Sequence, residues 1–198
     1  DGYAYQFFRD LKKTYAPGDG KNVNFNNAGL SGTPSLLGLV RYQSDVVEVC
    51  GQNPDILIVE FAVNDGGEAT FQKSFEGIVR DALKASPNTA VIALYAAATY
   101  GNTAAQKKPI SDLYQIPQIN MLGIVKDGIA KGHFSEKEYY TDNVHPTIKG
   151  HTLMSDCLMN LVATVDKAKI DEKIEVPTKS FARMGFSYKV KYTLGGYL

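Results

Sequence analysis

The 198-residue chain contains no tryptophan, only two cysteines and no long apolar run. A chain of this length buries about 70% of its unfolded surface, so its core needs no disulfide or metal. Cys50 and Cys157 each lie in a helix-like apolar context, so two buried free thiols are expected, with one disulfide as the alternative. No run reaches the roughly 18 residues that a membrane helix needs, so no membrane span is predicted. Cysteine usage leaves the compartment open, and we favour a secreted or cell-surface location over a cytoplasmic one.

The chain also lacks an excess of charge of either sign. Its 21 basic residues balance its 21 acidic residues, and the formal net charge is zero. Such a chain has no global field that would attract nucleic acid or an anionic membrane. No His/Cys/Asp/Glu cluster has the spacing of zinc ligands, and neither G-x-G-x-x-G nor a P-loop occurs. We therefore expect no nucleic-acid partner, no metal and no cofactor.

The periodicity of apolar residues predicts strands that alternate with helices. Helices are predicted at 3–15, 34–50, 70–85, 112–131 and 146–165. Strands are predicted at 22–28, 55–63, 89–97 and 136–140. The runs 55–63 and 89–97 are almost entirely apolar, which is typical of strands buried on both faces of a parallel sheet. The alternation predicts an α/β fold of three layers, with helices on both faces of a parallel sheet.

The amino-acid pattern changes near the C-terminus. We interpret residues 1–166 as the α/β domain. Residues 167–198 turn to Lys- and Glu-rich sequence and then alternate apolar and polar side chains from Phe186 to Tyr192. Alternation with a period of two indicates strand structure. We therefore interpret 167–198 as a C-terminal β-rich extension or the start of an accessory domain.

Three polar turns, at 27–33, 62–68 and 141–146, are candidates for a functional site. In open parallel sheets, ligands bind beyond the carboxyl ends of the strands, where we expect these turns. In the third turn, Asp142 and His145 have the spacing D-x-x-H before a helix. One carboxylate can then reach the imidazole Nδ1, which fixes the tautomer of a histidine that acts as general base in acyl transfer. The alternative is a helix cap, Asp142, beside a surface histidine.

The first two turns contain candidates for an oxyanion hole. Gly32 offers a backbone N–H and Asn64 a side-chain N–H, and such donors stabilise a tetrahedral oxyanion. The alternative is ordinary turn chemistry, in which Gly and Asn are common. Glu68 is a candidate substrate contact, or else a helix-start residue favoured by the helix dipole. His133, in a Lys-Gly-His-Phe loop, is expected to be solvated.

Taken in order, NAGLSGTPS, VEFAVNDGGE and DNVHPTIKGH resemble the SGNH hydrolases, also called the GDSL esterase/lipase family. The resemblance covers about residues 1–166. It implies a flavodoxin-like parallel sheet of order 2-1-3-4-5 and a carboxylic ester hydrolase with a Ser-His-Asp mechanism. Gly32 and Asn64 match the oxyanion positions of the family, and Asp142 and His145 match its D-x-x-H. The resemblance favours a short acyl group such as acetyl, on a carbohydrate or a small ester.

The chain departs from this family at its first block. That block is a G-D-S motif whose serine is the nucleophile, and no G-D-S occurs in the sequence. Its strand would lie at the centre of the sheet, between 22–28 and 55–63, where a gap leaves backbone groups unpaired. We expect an N-terminal segment, another chain or a cleaved peptide to supply this strand and its serine. Ser31 falls in the oxyanion turn and is not predicted to be the nucleophile. The alternative function is a noncatalytic SGNH-like binding module that has lost its nucleophile.

Overall fold

A computed structural model of the chain describes residues 1–16, 18, 20–168 and 176–182. In chain order, its helices and strands are α1 (Tyr3–Tyr15), α2 (Ser35–Arg41), β1 (Ile56–Val59), α3 (Ala69–Ala85), β2 (Ala90–Tyr95), α4 (Ala104–Leu113), β3 (Gln118–Asn120), α5 (Met121–Ala130), α6 (Glu136–Tyr139) and α7 (Ile148–Ala168). Helix α2 continues directly into a π-helical segment, Tyr42–Glu48. Within the described residues no helix is long and apolar enough to cross a membrane.

The three strands form one parallel sheet in the order β1-β2-β3. Leu57 pairs with Val91, and Leu94 pairs with Ile119. The strands predicted at 55–63 and 89–97 are therefore confirmed as parallel neighbours. Because parallel strands present their carboxyl ends at one edge, the loops after β1 and β2 begin side by side.

The side chains of β2 divide between two cores. Val91, Ala93 and Tyr95 pack with residues of the π-helical segment, α3 and α4. Ile92 and Leu94 point the other way and pack with residues of α1, α5 and α7. All five side chains are at most 4% exposed. Burial on both faces confirms the predicted three-layer α/β/α fold, and it leaves the ends of the strands as the place for polar groups.

Strand β1 is the less covered edge of the sheet. Among the described residues it pairs with β2 alone, and three of its four side chains are only partly buried. The prediction of a strand at 22–28 is wrong, because these residues form no strand. Phe25 instead stacks on Phe8 of α1, with ring centroids 5.2 Å apart, and Asn26 donates to the carbonyl of Asp45. These side-chain contacts tie 22–28 to the helices instead of the sheet.

Two other predictions of secondary structure are also wrong. Residues 136–140 do not form a strand, because Ser135 begins the short helix α6 there. Its amide and hydroxyl both donate to the carboxylate of Glu138, at 2.9 and 3.0 Å. The helix predicted at 112–131 is divided, because α4 ends at Leu113 and the strand β3 precedes α5.

Both cysteines are free, as expected, but they differ in burial. Cys157 is half-buried on α7, whereas Cys50 is exposed. The prediction that Cys50 is buried is therefore wrong. Cys50 follows the π-helical segment and immediately precedes a turn at Gly51, which has a φ of +69°.

Residues 176–182 pack back onto α3. Glu76 is 2% exposed, and its carboxylate accepts hydrogen bonds from the amides of Phe181 and Ala182 at 2.6 and 2.8 Å. With the Tyr114 hydroxyl, which also donates to Glu76, three donors compensate a carboxylate that has lost its water. The alternation at 186–192, on which the predicted β-rich extension depends, lies outside the described residues.

Candidate active site

The turn between α6 and α7 contains the Asp142–His145 pair. Oδ2 of Asp142 lies 2.8 Å from Nδ1 of His145. Oδ1 of Asp142 accepts hydrogen bonds from the amides of Val144 and His145, at 2.7 and 2.8 Å. One carboxylate therefore fixes both the backbone of the turn and the histidine ring. The contact expected from the D-x-x-H spacing is present in the structure.

These hydrogen bonds also set the charge of Asp142. The His145 amide, the His145 ring and then the Val144 amide stabilise the ionised form, and they lower the pKa of Asp142 to about 2. An ionised carboxylate beside Nδ1 favours the tautomer with its proton on that nitrogen, which leaves Nε2 as a proton acceptor. The side chains of His145 and Asp142 are 70% and 56% exposed. The ring is thus oriented and accessible to a reactant.

The ends of this turn are fixed by backbone contacts. The amide of Thr141 donates to the carbonyl of His145 at 2.9 Å, and the amide of Thr147 donates to that of Tyr139 at 2.7 Å. The first turn of α7 then passes very close to α6, since a Cβ atom on Gly150 would lie 2.5 Å from the Tyr139 carbonyl oxygen. Glycine at this position therefore permits α7 to begin immediately after the Asp142–His145 turn.

Gly32 and Asn64 lie on two exposed turns. Gly32 has a φ of +70°, a left-handed conformation that costs a glycine little. Next to Asn64, Oδ1 of Asp65 accepts a hydrogen bond of 2.7 Å from the amide of Ser35, the first residue of α2. The structure therefore connects the two turns, since Asp65 adjoins Asn64 and Ser35 follows Gly32 by three residues.

Asp65 is itself fixed by a buried ion pair. Its Oδ2 lies 2.9 Å from Nζ of Lys107, and the two side chains are 0% and 1% exposed. Lys107 also donates to Oγ1 of Thr103 at 2.8 Å. An ion pair this deep must be complete, because either charge alone would be left without water or a partner. Sequence reasoning missed this pair, and nothing in the sequence distinguishes Lys107 from the exposed Lys108 beside it.

The loop 96–103, which follows β2, connects the halves of the site. The amide and hydroxyl of Thr103 donate to the carbonyl of Ala62, at 2.8 and 2.9 Å, where the second polar turn begins. At the other end of the loop, the amide of Thr99 donates to the carbonyl of Asn143 at 2.9 Å, inside the third polar turn. Across the described ranges, no hydrogen bond joins the oxyanion candidates directly to the Asp142–His145 pair. The loop 96–103 therefore sets the relation between them.

A carboxylate that sequence reasoning missed lies where the loops after β1 and β2 begin. Glu60 accepts hydrogen bonds from the backbone amides of Ala62 and Ala96, yet burial outweighs these bonds and raises the pKa of Glu60 to about 7. Its signal in the sequence is a charged residue inside the apolar run 55–63. Glu60 joins the two loops at their bases.

Glu68 is exposed at the N-cap of α3, and its carboxylate folds back over Gly66. This agrees with a helix-start residue, and the substrate contact stays a prediction. His133 is exposed, as expected.

A third histidine, His151, lies on α7. Its Nδ1 accepts a hydrogen bond from the Tyr3 amide at 3.3 Å, and burial lowers the pKa of His151. Within the described residues, no group of His, Cys, Asp and Glu could bind a metal ion.

No protein-family model and no curated protein matches the chain. The fold is similar to that of solved esterases. A two-domain esterase (CEX) active on acetylated mannans has a TM-score of 0.77 and 25% identity, over 89% of this chain and 48% of that one. Its structure co-crystallized with mannopentaose gives 0.76 and 26%, over 90% and 47%. The acetyl xylan esterase AlAXEase gives 0.67 and 19%, over 81% and 90%.

These neighbours establish the α/β fold of the chain as one that acetyl esterases use. The chain spans about half the length of the two-domain esterase, since 48% of that protein is covered. The match to the acetyl xylan esterase, at 19% identity, shows the fold alone. Function has to be argued from the site, because one fold serves many activities.

Proposed function

We propose that the chain is the catalytic domain of a GDSL-type serine esterase, an SGNH hydrolase, that removes acetyl groups from a carbohydrate. The observation that supports this most is the contact of 2.8 Å between Oδ2 of Asp142 and Nδ1 of His145. An ionised carboxylate at Nδ1, with the rest of the ring accessible, is the arrangement that a general base in acyl transfer needs. The fold shared with acetyl esterases agrees with this chemistry.

In the proposed reaction, His145 Nε2 accepts the proton of a serine hydroxyl as its oxygen attacks the acetyl carbonyl. Asp142 stabilises the imidazolium that forms. The tetrahedral intermediate expels the sugar hydroxyl, which receives the proton from His145, and an acetyl-serine remains. Water, deprotonated by His145, then attacks this ester; the second tetrahedral intermediate expels the serine oxygen, which takes the proton back from His145, and acetic acid leaves and ionises to acetate. Asn64 Nδ2 and the Gly32 N–H donate hydrogen bonds to the oxyanion in both steps.

The nucleophile in this proposal is a serine on a strand that pairs with the free edge of β1. The observation that supports such a strand is that, within the described residues, β1 pairs on one side only. The proposed serine would have to lie on it because these 198 residues contain no G-D-S motif. An unpaired edge of a buried sheet is costly, and a parallel strand there would end beside the turns of the site. An N-terminal segment, another chain or a retained peptide would each meet this need.

The substrate we propose is an acetylated, uncharged polysaccharide. The neighbours named for their substrates act on acetylated mannans or acetyl xylan. A net charge of zero suits a neutral ester better than a polyanion. Glu68 is proposed as a contact at the substrate entrance, and a polysaccharide substrate favours a secreted or cell-surface protein.

The absent G-D-S favours a second function, a noncatalytic binding module on the same scaffold. The two functions are separated by hydrolysis of p-nitrophenyl acetate by the natural protein that contains these residues. We expect His145→Ala to lower the rate by on the order of 10³-fold or more, with the circular dichroism spectrum unchanged. His133→Ala, at an exposed histidine in another loop, is the matched control. Turnover like that of the wild type in His145→Ala would refute the esterase.

Two further measurements test the other roles. Asn64→Ala should lower kcat by on the order of 10²-fold, because its hydrogen bond strengthens in the transition state. A change confined to KM would remove Asn64 from the oxyanion hole. A fluorophosphonate should label one serine of the natural protein, and we expect mass spectrometry to place it outside these 198 residues. A labelled serine within them would refute the proposed origin of the nucleophile.

A further inference from the structure

Tyr100 is the most exposed aromatic side chain among the described residues. Its side chain is 70% exposed, and the next, Tyr5, is 46% exposed. Within the described part of the chain, the ring of Tyr100 stacks on no other ring and its hydroxyl makes no hydrogen bond. The fold therefore gains little from an aromatic residue here, and an exposed apolar ring with no internal role is typical of a binding surface.

The backbone under Tyr100 is fixed. Ala98 and Gly101 exchange two hydrogen bonds, of 3.2 and 3.0 Å, across a tight turn with Tyr100 inside it. Gly101 has a φ of +120°, a backbone conformation that residues with a side chain rarely adopt. Asn102 then donates through Nδ2 to the carbonyl of Ala96 at 2.8 Å. A ring on a fixed turn loses little conformational entropy when a ligand packs on it.

This turn lies directly against the Asp142–His145 turn. The amide and the hydroxyl of Thr99, the residue before Tyr100, reach the carbonyl of Asn143 at 2.9 and 3.3 Å. Asn143 follows Asp142 in the chain. Tyr100 is therefore one residue from a contact with the turn that contains the proposed general base.

We propose that Tyr100 is the platform on which a neutral pyranose ring of the substrate stacks while a neighbouring acetyl group lies at His145. The inference rests on the proposed function and names its sugar contact. The C–H face of a pyranose is apolar and packs on an aromatic ring, and the tyrosine hydroxyl remains free to bind a sugar hydroxyl. A stack of this kind positions the sugar without contributing to bond breaking, so Tyr100 is a positioning residue for binding.

The experiment measures sugar binding by the natural protein that contains these residues, in a His145→Ala background so that the acetylated sugar is not hydrolysed; this parent, with Tyr100 intact, is the reference. An acetylated mannopentaose is titrated into the protein and followed by ¹H–¹⁵N NMR. We expect Tyr100→Ala to raise the dissociation constant by about tenfold, as loss of one aromatic contact should. Tyr100→Phe keeps the ring and should stay within about threefold of the parent protein. Amide shifts of Tyr100→Ala should differ from the parent protein only near residues 96–103.

The matched control is Tyr15→Ala, also an exposed tyrosine. Helix α1 begins next to α7, where the Tyr3 amide meets His151, and Tyr15 is twelve residues further along. At 1.5 Å per residue this places Tyr15 about 18 Å from that end. Binding by Tyr15→Ala should equal that of the parent protein. An equal loss in both variants would overturn the platform.

Further outcomes distinguish the platform from the esterase. Binding by Tyr100→Ala like that of the parent protein, or no binding by the parent protein at millimolar sugar, would overturn the platform. The hydrolysis of p-nitrophenyl acetate, tested through His145→Ala, would still decide the esterase. In the active natural protein, Tyr100→Ala should raise KM for the acetylated pentaose by about tenfold and change kcat by less than about threefold. A fall in kcat alone would contradict a positioning role.

Discussion

The Asp142–His145 turn and the Asn64 turn lie at the same edge of the sheet, yet different forces fix them. The first is a surface structure, with side chains 56% and 70% exposed, and its carboxylate satisfies the amides of its own turn. The Asn64 turn is fixed by a buried ion pair between Asp65 and Lys107, whose side chains are 0% and 1% exposed. One half of the candidate site is local in sequence, and the other depends on a helix more than forty residues away.

This difference predicts how each half responds to change. When a solvent-exposed turn loses a hydrogen bond, water can replace the missing partner as a substitute. A buried ion pair has none, and removing one member leaves a charge in the interior. The oxyanion side should therefore be the more sensitive of the two to substitutions at a distance, whereas the histidine side should respond mainly to changes within its own turn and at the start of α7.

The largest effect is expected where the buried pair is broken. Asp65→Ala should lower the free energy of unfolding by about 3–5 kcal/mol, because Lys107 loses its partner. Urea denaturation measures this. The matched control is Asp112→Ala, which breaks an exposed pair with Lys108 on the same helix, and little change is expected because exposed ion pairs contribute little to stability. Combining Asp65→Ala with Lys107→Met should recover part of the loss. Equal, small effects in both single variants would show that the two halves do not differ.

A smaller loss is expected from crowding below the histidine side. Gly150→Ala places a methyl group 2.5 Å from the Tyr139 carbonyl oxygen and 2.8 Å from Cβ of Pro146. We expect a loss of about 1–3 kcal/mol in the free energy of unfolding. Gly123→Ala, on α5 with nothing within 4 Å of its Cβ, is the control and should stabilise the protein slightly. A neutral Gly150→Ala would contradict the close packing of α7 on α6.

The pH dependence of stability should differ between Glu60 and Asp142. Burial raises the pKa of Glu60 from 4.5 to about 7 in the folded state. The protonated form is therefore favoured by folding, so this contribution is complete below pH 4.5 and is lost as the pH rises through 7. Glu60→Gln should gain stability relative to the wild type above pH 7 and differ little below pH 4.5. Urea denaturation across this range measures it, and a difference independent of pH would contradict the burial of Glu60.

The smallest effect, of opposite sign, is expected at Asp142. Its hydrogen bonds lower its pKa from 3.8 to about 2 in the folded state. Its contribution to stability is therefore present above pH 3.8 and is lost as the pH falls through 2. Asp142→Asn should be slightly less stable than the wild type at pH 6, and the difference should shrink below pH 3.8 and vanish below pH 2. A large loss at pH 6 would mean that this turn supports the fold as strongly as the buried pair does.

Strong local periodicity made much of the fold predictable. The helix expected at 3–15 coincides with α1, and the helix expected at 70–85 lies within one residue of α3. The apolar runs 55–63 and 89–97 contain β1 and β2. In each case the local pattern and the tertiary burial agree.

The errors lie where tertiary structure decides. Strand β3 has three residues, too few to show a period of their own, and α4 contains Pro109 in its interior. Residues 136–140 follow Ser135, and Glu138 lies three positions after that serine, which is the capping-box signal of a helix start. In the site, Asp142 and His145 were found because their contact is local. Lys107 was missed because its burial depends on residues far along the chain.

The bond between Glu76 and Phe181 has a consequence for the order of synthesis. It joins residues 105 positions apart. Helix α3 is therefore synthesised long before the amides that donate hydrogen bonds to its buried carboxylate. Until residues 181 and 182 leave the ribosome, the Tyr114 hydroxyl is the protein donor to the Glu76 carboxylate among the described residues, and water must take the place of the two later amides. Residues 176–182 therefore complete a structure whose other described parts have already been synthesised.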